Sequence, residues 1–546
     1  MLYKEYCTEE FDKNGVLTQF DIKCPDNFNF AYDVVDRLGR EKPEKTALIW
    51  QNVDGEEKKL TFREISGLSD KAAAYLTAEG IGKGDCVMVM LKRHWEYWYI
   101  ICALHKIGAV ALPATHMLTA EDIEYRVKAA NVKAIICTFE GDVPKHVLAA
   151  KESCGDILKK AYNVRESIDG LTRIDTELEK FDGLAARIDT KSTDPFLMYF
   201  TSGTTGLPKA VIHDFSYPLA HIITAVHWHN VCEDGLHLTV ADTGWGKASW
   251  GKIYGQWLAE TAVMVYDFEK FDAEELADII EKYRVTTFCA PPTVYRFLTK
   301  QGVNAEKLRS LRYATTAGEA MNPEIIKRFR DLTGLTMMEG YGQTESTLLI
   351  ANLKGQEVRP GSMGKPTPLY DVRLADENGE FSDYGEVVVI PPKDKKQYGL
   401  FSCYGNDDVL YKKAWSGGIY HTNDIAQRDG DGYFWYVGRK DDIIKSSGYK
   451  IGPFEVESVL IKHDAVLECA VIGVPDEIRG TVVKAIVVLT DGYEESDVLA
   501  RELQQFVKQH TAPYKYPRVI EFVKELPKTI SGKTRHTELR ARAAAK

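Results

Sequence analysis

The run from Tyr199 to Ala210, YFTSGTTGLPKA, gathers the residue types that hold a polyphosphate. Gly203 and Gly206 let backbone N–H groups come close to an anion, and the hydroxyls of Thr201, Ser202, Thr204 and Thr205 add donors. Lys209 supplies positive charge. The spacing is not that of a Walker A loop, which needs glycine directly before its lysine; here Pro208 precedes Lys209. Two further glycine loops, around Gly318 and at Gly340–Gly342, also follow strand-like runs. His213, His221, His227 and His229 crowd the same region but lack the carboxylate pattern of a metal site, so non-metal roles are expected. None of the ten cysteines sits at zinc-ligand spacing, and reduced core cysteines are expected.

These loops need a scaffold that brings them together. Asp272 with Glu275 reads as a capping box, followed by Leu276, Ile279, Ile280 and Tyr283 at helical spacing. The β-branched run VTTFCA (285–290) follows, then the strand-like LRYATTAGE (311–319), a helix opened by Asn322-Pro323, and the strand-like LTMMEGYG (335–342). Earlier, Thr119 and Asp122 begin a helix that leads to AIICTF (134–139). Such alternation predicts layered α/β structure with mostly parallel sheets, whose ligands sit at the carboxyl ends of the strands. From about residue 355 the texture changes to short strands and turns, a small β-rich subdomain. After residues 438–442, GRKDD, a smaller α+β unit begins, with helices expected over 453–463 and 496–510. We place the boundary at Asp441, giving units 1–440 and 441–546.

A chain of 546 residues is too long for one core. Its net charge of −11 argues against a nucleic-acid binder. The first residues, MLYKEYCTEEFDKNG, carry neither an apolar signal core nor an Arg-rich amphipathic pattern, which predicts a cytoplasmic protein, and no apolar run is long enough for a membrane span.

Five blocks, YFTSGTTGLPKA (199–210), TTAGEAM (315–321), EGYGQTE (339–345), YHTND with GRKDDIIKSSGYKIGPFEVE (420–424 and 438–457) and PKTISGKTRHTELR (527–540), resemble in type and order the AMP-forming adenylating enzymes. Within that family, DTGWGKASWGKIYGQW (242–257) looks most like medium-chain acyl-CoA synthetases. The resemblance implies ATP, coenzyme A and a carboxylic acid as substrates and Mg²⁺ as cofactor. It places Gly318, Glu319 and Ala320 around the adenine, with Tyr341 stacked on the base, and counts Glu339, Gly340 and Gly342 among the residues that bind ATP and AMP. Thr344 would donate to the α-phosphate and Glu345 would hold Mg²⁺. Asp424 would accept from the ribose hydroxyls, and Arg439 would help hold that sugar.

Lys533 matches the family's catalytic lysine. A carboxylate and the α-phosphate are both anionic, so an ammonium bridging them would stabilise the transition state, and no general base is needed. Asp441 matches the hinge about which the smaller, mobile unit rotates between two half-reactions. The second orientation would bring in Ser447, Gly448 and Tyr449 for coenzyme A, and Lys450 to the AMP phosphate. Gly342 stands where acetate-specific relatives carry tryptophan, which leaves room for a middle-length or branched acid lined by Trp245, Trp250 and Tyr254. Two residues depart from the family pattern: Ala210 and Asn423 stand where glycine is usual. Acylation of Lys533 would remove its charge, so a lysine-modifying regulator is a candidate partner; homo-oligomer formation is left open. Loading of a carrier protein, or acyl and nucleotide binding without catalysis, are the competing readings. The presence of Lys533, Glu345 and Lys209 speaks against the last.

Overall fold

The computed structural model describes the chain except residues 185, 202–207, 320, 406, 447–448, 477–479, 529–532 and 545–546. Two large sheets dominate the described residues, one of eight strands and one of nine. In the first, Val110–Pro113, Cys86–Met90, Val132–Cys137 and Lys160–Asn163 run parallel. Pro195–Thr201 joins Val110–Pro113 in parallel and turns back antiparallel into Lys209–Asp214. In the second, Ala262–Asp267, Leu236–Thr239, Thr287–Ala290, Tyr313–Ala317 and Met337–Tyr341 form a parallel series. Strands such as Cys86–Met90 and Thr287–Ala290 are buried at every position, as parallel strands covered on both faces must be.

Local chemistry sets the helix starts. Asp272 accepts from the amides of Glu274 and Glu275 and opens Ala273–Tyr283. The expected reciprocal bond from Glu275 is not made, because its carboxylate accepts from the Tyr266 hydroxyl at 2.8 Å instead. Thr119 and Asp122 do form a full capping box on Ala120–Ala130. Asn322 caps Pro323–Thr333, which ends at Gly334 in the left-handed conformation.

The β-rich region is an antiparallel sheet of Asp371–Ala375, Tyr384–Ile390, Tyr420–Arg428 and Phe434–Arg439. Beyond it, Val466–Asp476, Gly480–Leu489 and Val519–Phe522 form a separate sheet. Helices Pro453–Leu460 and Asp497–His510 pack around it; the first ends three residues short of the expected Lys462–His463 turn. The apolar clusters of this last region draw on no residue before Ile444. It touches the rest through Glu468 paired with Arg296 at 3.3 Å, the Asn322 side chain donating to the Ser458 carbonyl at 3.3 Å, Lys450 paired with Glu377 at 2.8 Å, and the Phe454 ring against Tyr436 at 6.1 Å. Among the described residues no cysteine is disulfide-bonded and no helix is long and apolar enough to cross a membrane.

Candidate active site

The carboxyl ends of Tyr313–Ala317 and Met337–Tyr341 lead into the loops carrying Gly318, Glu319 and Gly342–Glu345, and the edge of the β-rich sheet faces them. At their meeting point lies Asp424, buried and surrounded by donors. The Tyr341 hydroxyl and the Gln343 amide both donate to its Oδ2 at 2.6 Å. The Tyr436 hydroxyl reaches Oδ1 at 3.3 Å, and Arg439, its cross-strand neighbour, pairs with the same oxygen at 3.4 Å. Gln343 is itself held by the Tyr420 hydroxyl at 2.6 Å and the Thr422 carbonyl at 2.8 Å. A carboxylate so placed can accept from a sugar hydroxyl without being left unpaired when the site is empty.

The phosphate run is described only at its ends. Ser202, Gly203, Thr204, Thr205 and Gly206 lie outside the described residues, as do Ala320, Ser447 and Gly448. Thr201 and Lys209 pair across the hairpin, so the loop leaves and returns at one point. Burial pulls the Lys209 ammonium below its ordinary range, against the opposing pull of Glu345, and its Nζ lies 5.6 Å from the Tyr404 ring centre. Burial raises the Glu345 carboxyl, which accepts from the Tyr404 hydroxyl at 2.9 Å. His213 donates from Nε2 to the Thr344 carbonyl at 2.7 Å, fixing the backbone just before Glu345; burial lowers its pKa to about 4, so it acts as a neutral ring.

Lys247, on the short helix Gly246–Gly251, donates to the Ala317 carbonyl at 2.9 Å. Burial holds its ammonium below the usual range, and the neighbouring charge of Lys533 adds to that effect. The C-terminal lysine is therefore near enough for its charge to act on Lys247, which sits at the end of the strand that leads into Gly318. Lys450 is not near it, being paired with Glu377. Tyr449 is exposed and stacks on Tyr514 at 4.2 Å.

Four expected site residues have other surroundings. The Glu339 carboxylate accepts from the backbone amides of Met321 and Gly361, at 3.3 and 3.1 Å. Burial pushes its pKa up to about 8 despite those bonds. Gly340 is needed for packing, since a Cβ there would lie 2.7 Å from the Trp228 ring. Tyr254 belongs to the aromatic core with Phe30, Phe196 and Tyr217, its hydroxyl 3.1 Å from His105. The space beside Gly342 is not open either: a Cβ there would lie 2.6 Å from the Trp250 ring and 2.3 Å from the Thr347 carbonyl oxygen. The indole edge fills the room that glycine leaves. Trp245 caps the helix Gly246–Gly251, and Gly246 lies against Thr344.

Residues 35–398 match the family model described as AMP-binding enzyme, and residues 455–533 match that of the AMP-binding enzyme C-terminal domain. The chain belongs to the AMP-binding enzyme family. Among curated relatives it is 42% identical to acyl-coenzyme A synthetase ACSM4, mitochondrial, of Homo sapiens, over 94% of this chain and 90% of that one. It is 38% identical to acyl-coenzyme A synthetase ACSM3, mitochondrial, of Mus musculus, over 99% and 95%. Among solved structures it resembles the anthranilate CoA ligase AuaEII in complex with anthranoyl-AMP, with TM-score 0.86 and 27% identity over 96% of this chain and 99% of that one. It also resembles a benzoate CoA ligase from Burkholderia xenovorans LB400, with TM-score 0.83 and 26% identity over 94% and 100%. The expectation of a cytoplasmic location is overturned by the curated relatives, which are named mitochondrial. The lack of a presequence pattern in a few residues carries no information about compartment.

The AMP-binding enzyme's two departures from family pattern are accommodated differently. Ala210 sits in a strand, its carbonyl accepting from Gly405 at 2.7 Å, and its methyl is matched by that glycine. Asn423 takes up the left-handed conformation a glycine would have used, at φ +62°. The sequence reading missed Gln343, Tyr436 and Lys247, and named His213 only as a residue expected to have a non-metal role. Gln343 lies inside a quoted motif, but nothing in residue type marks it as the partner of Asp424 across the sheet.

Proposed function

We infer that this chain is an AMP-forming acyl-CoA synthetase. It converts a carboxylic acid and ATP to an acyl-adenylate and pyrophosphate, then transfers the acyl group to coenzyme A with release of AMP. The observation that carries this reading is one crevice that gathers Asp424, held by Tyr341 and Gln343, with Glu345 and Lys209, whose charges act on one another. Lys533, from a separate folding unit, is near enough for its charge to act on Lys247, and a nucleotide site alone would not need such a cation.

In the first step a carboxylate oxygen attacks the α-phosphorus, and the bond to pyrophosphate breaks with its electron pair leaving on the phosphate oxygen. Lys533 bridges the two anionic partners, and Thr344 orients the α-phosphate, held in place through the His213 bond to its carbonyl. Asp424 and Arg439 fix the ribose, Tyr341 lies against the base beside Gly318 and Glu319, and Thr201 and Lys209 anchor the loop that takes the outer phosphates. Among the described residues no group of three or more His, Cys, Asp or Glu side chains could cage a metal. A single buried carboxylate, Glu345, fits Mg²⁺, which keeps several waters and takes its other oxygens from phosphates. When bound there, Mg²⁺ offsets charge on the departing pyrophosphate.

In the second step the coenzyme A thiol attacks the acyl carbonyl, and the bond from carbonyl carbon to AMP oxygen breaks. Lys450 at Glu377, with Lys533 near enough for its charge to act on Lys247, fits the adenylating orientation. Lys450 reaches the crevice only after the unit 441–546 turns about Asp441. The acid lies beside Trp245 and Trp250, and the position of the Trp250 ring against Gly342 sets how long a chain fits. A middle-length or branched acid is the expected substrate.

Pyrophosphate release measured over straight and branched acids, with coenzyme A or a holo-carrier protein as acceptor, tests this. Turnover should be highest from butyrate to octanoate, with AMP and acyl-CoA as products. Acetate turning over faster than those acids, or acyl transfer to the carrier protein in preference to coenzyme A, would refute it.

A further inference from the structure

Beyond Arg439 the chain leaves the β-rich sheet: Asp424 to Arg439 is the last pair of that ladder, and Lys440–Asp442 form a single turn. Side chains hold this turn from behind. The buried Glu386 accepts the Asn423 amide on Oε1 at 2.9 Å and Lys440 Nζ on Oε2 at 2.9 Å. His421 Nδ1 reaches the same Oε2 at 3.2 Å. The Asn423 side chain then donates from Nδ2 to Asp441 Oδ2 at 2.9 Å. The left-handed backbone that asparagine tolerates here is what aims its amide at Asp441.

We propose that Asn423 and Glu386 form a clasp on the pivot residues Lys440 and Asp441, and that the Asn423 bond favours the adenylating orientation over the thioester-forming one. This rests on the two-orientation reading above. The two halves of the clasp differ in reach. Lys440 has a long flexible stem and can follow Glu386 through a backbone rotation. The Asn423 amide and the Asp441 carboxylate are short and face one another in one geometry, so rotation at Asp441 breaks that bond. The orientation in which it is made is the one with Lys450 against Glu377 and Glu468 against Arg296, with Lys533 near enough for its charge to act on Lys247. Asn423 also directly precedes Asp424, so the strand that holds the sugar and the pivot are joined by one residue. The clasp residues are positioning groups and touch no reacting atom.

The test uses the full chain and separates the half-reactions. Adenylation is read as pyrophosphate release in single turnover without coenzyme A. Thioester formation is read from supplied hexanoyl-adenylate and coenzyme A. Asn423→Gly keeps the left-handed backbone and removes the amide. Losing a hydrogen bond of ordinary net strength should lower the ratio of adenylation to thioester rate by roughly 3–10-fold, with the ATP KM unchanged. Asn423→Asp sets a like charge against Asp441 and should lower the ratio further. A ratio that stays at the wild-type value in both variants overturns the clasp, as does a raised ATP KM with an unchanged thioester rate, which would assign Asn423 to the sugar strand alone. If the wild-type chain makes no adenylate from any acid tried, the functional reading fails first and the clasp with it. If the wild type is active and only the ratio refuses to move, the clasp alone fails.

Discussion

The two ends of the crevice are built by opposite means. Around Asp424, each contact is a named donor on a named oxygen: Tyr341, Gln343, Tyr436 and Arg439. Around Gly342, the nearest atoms are the Trp250 indole edge and the Thr347 carbonyl oxygen, which accepts from the Ser346 hydroxyl at 2.9 Å. The nucleotide end therefore depends on chemical identity, and a single polar substitution removes a specific bond. The acyl end depends on shape, and a substitution there changes which acids enter more than whether chemistry occurs. Glu339 shows a third case. It lies one residue from Gly340 in the same motif, yet it spends its carboxylate on the Met321 and Gly361 amides and supports the loops rather than a ligand.

The largest expected effect separates catalysis from binding. Lys533→Ala removes the cation that bridges acid and phosphate. Adenylation should fall on the order of 10²–10³-fold, the cost of losing one preorganised charge stabiliser. Thioester formation from supplied adenylate should remain within a few-fold of wild type, measured in the same two assays. Equal loss in both would mean the lysine serves binding or folding.

At the acyl end, Trp250→Leu keeps the wall apolar and withdraws the ring from Gly342. The ratio of kcat/KM for octanoate over butyrate should rise about 10-fold, since a methylene in an apolar pocket is worth that much discrimination. Unchanged preference would place the acid elsewhere and dissolve the contrast drawn here.

The smallest effect concerns Glu339 and appears in stability alone. Its folded pKa of about 8 lies above the ordinary carboxyl value of 4.5, so between those values the folded chain holds a proton that the unfolded chain has released. Its contribution is greatest below pH 4.5 and is lost as pH rises through 8, at up to ~1.4 kcal/mol per pH unit. Glu339→Gln should flatten that part of the stability curve in denaturant unfolding followed over pH. A slope identical to wild type would show that Glu339 is ionised in the fold.

Much of the scaffold was legible because it is written locally. Asp272, Thr119 and Asn322 cap the helices they were expected to cap, and the β-branched runs became the parallel strands that carry the glycine loops. The helix beginning at Pro453 was read three residues too long, since its last turn is decided by packing against the neighbouring sheet. The aromatic wall was legible only in part. Trp245, Trp250 and Tyr254 share one segment and one residue class, yet Trp250 meets Gly342 while Tyr254 turns into the core beside Phe30.

The sequence by itself determined the chemistry available to this protein: a hydroxyl- and glycine-rich run ending in Lys209, carboxylates at Glu345 and Asp424 and a distant lysine at Lys533. Motif order carries that information because each block needs particular residue types at fixed spacing. Only the tertiary structure decided which of those groups meet. It joined Gln343 to Asp424, sent Lys450 to Glu377, placed Trp250 over Gly342 and joined Asn423 to Asp441. These are contacts between residues far apart in the chain, set by how sheets and units pack, and local spacing holds no record of them.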